Sequence, residues 1–448
     1  MNRLTRTAGL AATLTSVGLC AVAPAHAATA DTVDGRWNAS LTTQTGVVIP
    51  FRLDISGSGT TLKGTLYDGF DPYETTTSAS FEDGQLTLNV DHYLTTISAT
   101  EKDGQLTGTV VAHNRGSSAQ YAFQATRYVK PAAGADAPAI AGSWIIPLET
   151  PSSKGEKAFR FVVKQNGPEV AASILRVDGD TGAYSGTYQD GKWVLSHFDG
   201  SRPGVIIVTP ESDGTLQVLQ NPERPNAATN TSTANAGATA IKTSSKGYDD
   251  SISDGRYAPA LVAYRTAVAQ AKGLPEPEDY ATHTTVRDPN EKFTFNFPDV
   301  DGHLISNDDP RFKGKVVLAI VTGTWCPNCH DEAQYLVKLD KKYHDKGLAI
   351  VALDFEEPEQ QGSLARERAF VKQYGVKYTY LIAGAPAEMW EKVPQAVNLN
   401  TWPATFFIGR DGKVKGVHSG FASPASGEFN RQLQTEFSTK IETLLAER

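Results

Sequence analysis

The chemistry in this chain starts from two cysteines spaced as Cys326-Pro327-Asn328-Cys329. An apolar run, Val316 to Val321, precedes them and reads as a short buried strand. Thr322, Gly323 and Thr324 then turn the chain, and Trp325-Cys-Pro-Asn-Cys329 opens a helix. A helix N-terminus offers free N–H groups and the positive end of the macrodipole, so a thiolate is stabilised there. Such positions depress a cysteine pKa to roughly 3.5–7.5, and the thiolate is the species that attacks disulfides. Pro327 fits the first helical turn, where its missing N–H costs nothing. Cys329, one turn on, can close back on Cys326 and release a bound partner.

Other uses of the pair compete. A structural disulfide over so short a loop would constrain little unfolded chain. Half of a zinc site would need a second cysteine pair, and His330 and His344 lack finger spacing. Cys326 to His330 also matches the C-x-x-C-H pattern of covalent haem. Haem does not need the apolar strand, however, and Met389 is a poor basis for a distal ligand, although a histidine could substitute. Dithiol redox chemistry is the preferred reading, with no cofactor and no metal expected.

The elements that must position the pair are unevenly legible. At 448 residues the chain is long enough for two to four domains, and 40% hydrophobic with 21% charged residues is a globular composition. The formal charge is −8 with no basic stripe, which excludes nucleic acid as the natural partner. Residues 1–27 read as a secretory signal: Arg3 and Arg6, the apolar Ala8 to Val22, and the cleavage site Ala25-His26-Ala27. No later segment reaches the roughly 18 apolar residues of a membrane span. The expected location is therefore periplasmic or extracellular, with cleavage near Ala27.

From residue 31 to about 130, short runs alternate apolar and polar residues between turn pairs such as Asp83-Gly84 and Asp103-Gly104. That is an antiparallel meander of about eight strands, closed or nearly closed. The pattern then returns. Gly35-Arg36-Trp37 is echoed by Gly142-Ser143-Trp144, and Asp83-Gly84 by Asp190-Gly191, so a second copy of the module is expected at 139–272. Pro131 to Pro138 links the copies. The second copy is interrupted at about 221–250 by a low-complexity Asn/Thr/Ala/Ser stretch that cannot bury a core and is expected to be disordered. Its eighth strand is placed in Tyr257 to Arg265, with an amphipathic helix over Ala260 to Lys272 as the alternative. Trp37, Trp144 and Trp193 are read as core residues, and the modules show no catalytic constellation.

After Pro275, Pro277 and Pro289, strands and helices alternate: Phe293–Phe297, Val316–Val321, a helix Pro327–Lys346, Leu348–Leu353, a helix Ser363–Tyr374, and Tyr378–Ile382. A hairpin of Ala404–Ile408 and Val414–His418 and a helix Gly427–Ala446 follow. This is an α/β sandwich on a mixed sheet.

With those elements in place, residues 285–448 resemble the thioredoxin superfamily, and within it the TlpA/ResA-like thiol-disulfide oxidoreductases. The resemblance rests on Phe297 to Leu318, the Trp325–Cys329 motif, Glu332, and Thr401-Trp402-Pro403-Ala-Thr-Phe-Phe-Ile408. It implies that Cys326 attacks and Cys329 resolves. It also implies that Pro403 is a cis-proline docking substrate backbone, flanked by Trp325 and Trp402, and that Glu332 is an acid behind the dithiol. Gln334 departs from the family's helix-kinking proline. Ile320 stands where cytoplasmic thioredoxins keep a buried aspartate, so any internal proton acceptor here would have to be Glu332.

The fold class expected is thus multidomain: duplicated antiparallel all-β modules, barrel- or sandwich-like, followed by an α/β thioredoxin-like fold. The function expected is exchange with disulfide- or dithiol-containing envelope proteins, served by an upstream redox partner. A peroxiredoxin-like peroxidase is the first rival, but Ala319 and Gly323 occupy positions its P-x-x-x-T-x-x-C site would need. The second is an envelope binding protein whose redox domain is accessory.

Overall fold

Alternation of apolar and polar residues builds two antiparallel sheets ahead of the mixed one. In this computed structural model the described residues are 32–114, 117–129, 137–220 and 260–447. The expected signal at 1–27, most of the Pro131–Pro138 linker and the low-complexity stretch at 221–250 lie outside them. From Val33 onward the chain clusters as one compact unit.

The first sheet has nine strands, with Gly35–Thr42 and Ser117–Arg127 paired at its centre and Asp71–Thr75 and Ser78–Glu82 at its two edges. The edges form no ladder with each other, so the sheet is a half-barrel. Nine replaces the expected eight because the chain breaks at Thr76-Thr77. Thr76 N donates to Gly64 O at 3.0 Å and Thr77 N to Asn89 O at 2.7 Å, stitching the break to both neighbours.

The second sheet closes. Gly142–Pro147 pairs with both Ala158–Asn166 and Leu261–Arg265, and Ala158–Asn166 pairs onward with Glu169–Arg176. The ladder returns through Leu216–Gln220 to Leu261–Arg265. Eight strands therefore form a ring with no free edge, which removes the pairing hazard of an open sheet. The eighth is Leu261–Arg265, and a short helix, Thr266–Ala271, follows it, so both readings of that stretch hold part of the truth.

The duplication extends to atoms. Trp37 and Trp144 are buried, and each indole N–H donates to the carbonyl four residues back, Val33 at 2.9 Å and Ile140 at 3.0 Å. Arg127 and Arg265 each lie 4.0 Å over the corresponding ring. Gly35 and Gly142 hold φ +123 and +124, and a Cβ on either would meet that arginine at 3.0 Å. The tryptophans, with Trp193, belong to the module cores.

The C-terminal sheet has five strands in the spatial order Thr379–Gly384, Leu348–Phe355, Val316–Thr322, Ala404–Ile408, Val414–Ser419. The first three are parallel, and the last two form the antiparallel hairpin. Val316–Thr322 is central and buried on both faces, which explains its unbroken apolar run. The motif helix spans Pro327–Tyr343, and helices Ala365–Tyr374 and Glu428–Ala446 complete the layers of a thioredoxin-like fold. The Phe293–Phe297 strand is a correction: only Asn296–Pro298 pairs, with Leu304–Ser306, while Phe293, Phe295 and Phe297 still turn into the core. Among the described residues no helix is long and apolar enough to cross a membrane.

Candidate functional site

The central strand ends at Thr322, and after the turn Gly323-Thr324-Trp325 the chain starts the motif helix with Cys326 as its N-cap and Pro327 in the first turn. Cys326 Sγ accepts the Cys329 N–H at 3.3 Å, the contact that favours a thiolate once the pair is reduced. Here the two cysteines are joined as a disulfide, with Cα atoms 5.3 Å apart. Cys326 is only 4% exposed against 1% for Cys329, so the helix end, rather than exposure, distinguishes them in this state.

Trp325, Trp402 and Pro403 gather around the sulfur. The Trp402–Pro403 peptide is cis. Trp402 O lies 3.5 Å from Cys326 Sγ, and the Trp325 and Trp402 rings meet edge-on at 5.0 Å. Trp325 Nε1 donates to Phe355 O at 2.9 Å, which anchors the turn to the neighbouring strand.

Glu332 sits one turn past Cys329 and is 1% exposed. It accepts the Thr405 hydroxyl at 2.5 Å through Oε1, while Oε2 has no partner. Thr405 is the strand partner of Ile320, so the carboxyl is tied to the hairpin strand beside the central strand. Burial raises its pKa to about 8, opposed in part by the threonine. At neutral pH it is mostly protonated.

The opposite flank of the helix was not anticipated. Asn328 Nδ2 donates to Asp178 O at 2.9 Å, in the barrel turn Val177-Asp178-Gly179, and Arg202 reaches Asn328 Oδ1 at 3.3 Å. Gly179 forms a bridge with Phe421. A Cβ at Gly179 would lie 2.4 Å from Phe421 O and 2.7 Å from Asn328 Nδ2. Phe421 follows Gly420, whose N–H donates to Pro403 O at 2.8 Å, so the barrel turn abuts the cis-proline loop. From the half-barrel, Tyr73 donates to Asp331 at 2.7 Å and Tyr93 stacks on His330 at 4.2 Å. His330 is buried, with Nε2–H on Thr324 O at 2.6 Å and Nδ1 facing Tyr374 OH at 2.9 Å. Burial, with His92 nearby, holds its pKa well below the ordinary value and keeps it neutral. Both ring nitrogens are engaged within the fold, so His330 is not presented as a haem ligand. No spacing rule could have found these partners, because Tyr73 and Asp331 stand 258 residues apart.

A mixed five-stranded sheet, a C-x-x-C pair at a helix N-terminus and a cis-proline beside it define a thioredoxin-fold dithiol protein. The Redoxin family model matches residues 285–433. The chain is 34% identical over 147 residues to the thiol-disulfide oxidoreductase ResA of Bacillus thuringiensis subsp. konkukian (strain 97-27), covering 33% of this chain and 74% of that one. The ResA of Bacillus anthracis is 34% identical over 120 residues, and the chain spans 62% of its length. Among solved structures, a thiol:disulfide interchange protein, thioredoxin family protein from Chlorobium tepidum TLS is similar over 36% of this chain and 100% of its own, at 23% identity and a TM-score of 0.27. The chain belongs to the ResA family of thiol-disulfide oxidoreductases.

Proposed function

We propose that the protein is an extracytoplasmic thiol-disulfide oxidoreductase that reduces disulfides of envelope proteins. The observation that carries this reading is the Cys326–Cys329 pair, capped by its own helix and faced by cis-Pro403. In the reduced state the Cys326 thiolate attacks a partner disulfide, forms a mixed disulfide and expels one partner thiolate. Cys329 then loses its proton and attacks the Cys326 sulfur, which restores the internal disulfide and releases the second partner thiol. Two electrons pass to the partner, and an upstream dithiol protein returns them. Trp325 and Trp402 wall the approach to Cys326, and Pro403 positions the partner's backbone.

Glu332, three residues beyond Cys329 on the motif helix and buried, is the group read as taking the Cys329 proton. With its pKa at about 8, only roughly a tenth is ionised at pH 7, and its value is close to that of a thiol, which suits proton transfer between them. Residues 1–27 support export. The β modules, packed on Asn328, His330 and Asp331, act as a wall of the site, which favours a joint binding and redox role over an accessory one. The test is trapping: full-length Cys329→Ala, presented to envelope extract, should retain disulfide-linked partners that Cys326→Ala/Cys329→Ala does not. Equal recovery from both variants would reject the reading.

A further inference from the structure

A second cluster of chemistry lies behind the active-site turn. Asp354 and Glu356 stand at the end of strand Leu348–Phe355, and Glu367 faces them from helix Ala365–Tyr374. All three are completely buried, and one carboxylate oxygen from each lies within 4.8 Å of the other two. Glu356 is satisfied: Thr324 donates to it, and the Arg366 guanidinium pairs with it and with Glu357. Asp354 and Glu367 are not. None of their four oxygens has a hydrogen bond of ordinary length and angle, and the buried Tyr380 hydroxyl is the donor that faces Asp354.

We propose that Asp354, Glu356 and Glu367 bind one hard divalent cation, of the Ca2+ or Mg2+ class. The chemistry of the donors is all oxygen, the set these ions select. Calcium–oxygen distances are about 2.3–2.6 Å, so ligands on opposite sides of one ion stand about 5 Å apart, the span this cluster shows. Charge agrees as well. Arg366 forms its ion pairs on the Glu356–Glu357 side, and a dication balances the two carboxylates that have no ion pair of their own. Buried charges are paired or coordinate metals, and Asp354 and Glu367 share only the field of Arg366, whose direct ion pairs go to Glu356 and Glu357. The ion sits one side chain from the redox turn, because Glu356 holds Thr324 and the Thr324 carbonyl receives His330. The surface triad Asp299, Asp301 and His303 differs: Asp299 is turned onto the backbone N–H groups of Asp301 and His303, and its loop serves as the control.

Metal-stripped full-length protein, oxidised, is titrated with CaCl2 and with MgCl2 by calorimetry, and its melting is followed alongside. One ion per chain is expected, with Tm rising by about 3 °C or more at a hundredfold excess over Kd. Asp301→Asn should leave binding unchanged. Asp354→Asn should weaken it at least about tenfold, and Asp354→Asn/Glu367→Gln should abolish it while melting no lower than the ion-free wild type, because repulsion has been removed. If neither ion binds at millimolar concentration, the orphaned oxygens share protons instead and the proposal fails. Binding that survives Asp354→Asn, or is lost in Asp301→Asn, places the ion elsewhere and fails it equally. Should the double variant not fold, the single Asp354→Asn variant decides.

Discussion

The two flanks of the motif helix solve opposite problems. On one, Glu332 is enclosed by the redox domain with a single hydrogen bond, from Thr405, and no cation to pair with. On the other, Asn328, His330 and Asp331 are met by hydrogen bonds and a stacked ring from both β modules. The first flank keeps a buried carboxyl mostly protonated at neutral pH. The second fixes the position of the C-x-x-C turn from outside the thioredoxin-like fold. The difference teaches that both β modules pack against the motif helix, although the C-terminal part alone carries the cysteine pair.

The largest effect expected is chemical. Cys326→Ser should reduce disulfide exchange to the uncatalysed background in a turbidity assay, since the thiolate is the nucleophile on which both flanks act. Exchange retained by Cys326→Ser would detach the comparison from the chemistry.

The next test addresses the enclosed flank. Glu332 has a folded pKa raised from 4.5 to about 8, so the folded state holds a proton that the unfolded state releases between those values. Its stabilising contribution is therefore complete below pH 4.5 and is lost as pH rises through 8. Glu332→Gln should accordingly gain stability relative to wild type toward pH 9, by roughly 3–5 kcal/mol in denaturant melts. Parallel pH profiles for the two proteins would mean the carboxyl is solvated. In rapid mixing, the same variant should slow resolution more than initial attack, with the wild-type resolution rate rising up to about pH 8.

The outer flank is sharpened by glycine substitutions. Gly179 and Gly104 both hold positive φ, +121 and +76, but a Cβ at Gly104 meets nothing within 4 Å. Gly104→Ala should cost about 1 kcal/mol from backbone strain alone, and Gly179→Ala about 2–4 kcal/mol because it also drives into Phe421 and Asn328. Equal costs would show that the barrel turn is not seated on the motif. Smallest, Asn328→Ala should cost about 1 kcal/mol through its lost contacts with Asp178 O and Arg202.

Legibility followed locality. The dithiol, its strand and its helix each occupy a contiguous stretch whose periodicity or residue types follow from local backbone needs, while the cis state of Pro403 followed from the resemblance. The module repeat was readable for the same reason: Asp83-Gly84 and Asp190-Gly191 both take positive φ at both residues, which few other pairs tolerate. Burial of Glu332 came only from the resemblance, because its spacing from Cys329 suits a solvated first-turn acid equally well. The contacts of Asn328 with Asp178 and of Asp331 with Tyr73 were not legible, because partners 150 and 258 residues apart leave no local pattern. The acid cluster was hidden differently. Asp354 and Glu356 are two apart on a strand end, an arrangement indistinguishable from a solvated turn until the helix bearing Glu367 packs over it.

The central claim is that Cys326 and Cys329 act as one two-electron couple toward a partner disulfide. Reduced full-length protein is mixed with one equivalent of a disulfide-containing protein such as insulin, and both are quenched with acid and weighed by mass spectrometry after alkylation. The expected result is transfer of a whole pair: wild-type chains end with Cys326–Cys329 rejoined and an equivalent amount of the partner disulfide opened, with the mixed disulfide only transient. Chains that stay doubly alkylated while the partner remains oxidised would contradict it.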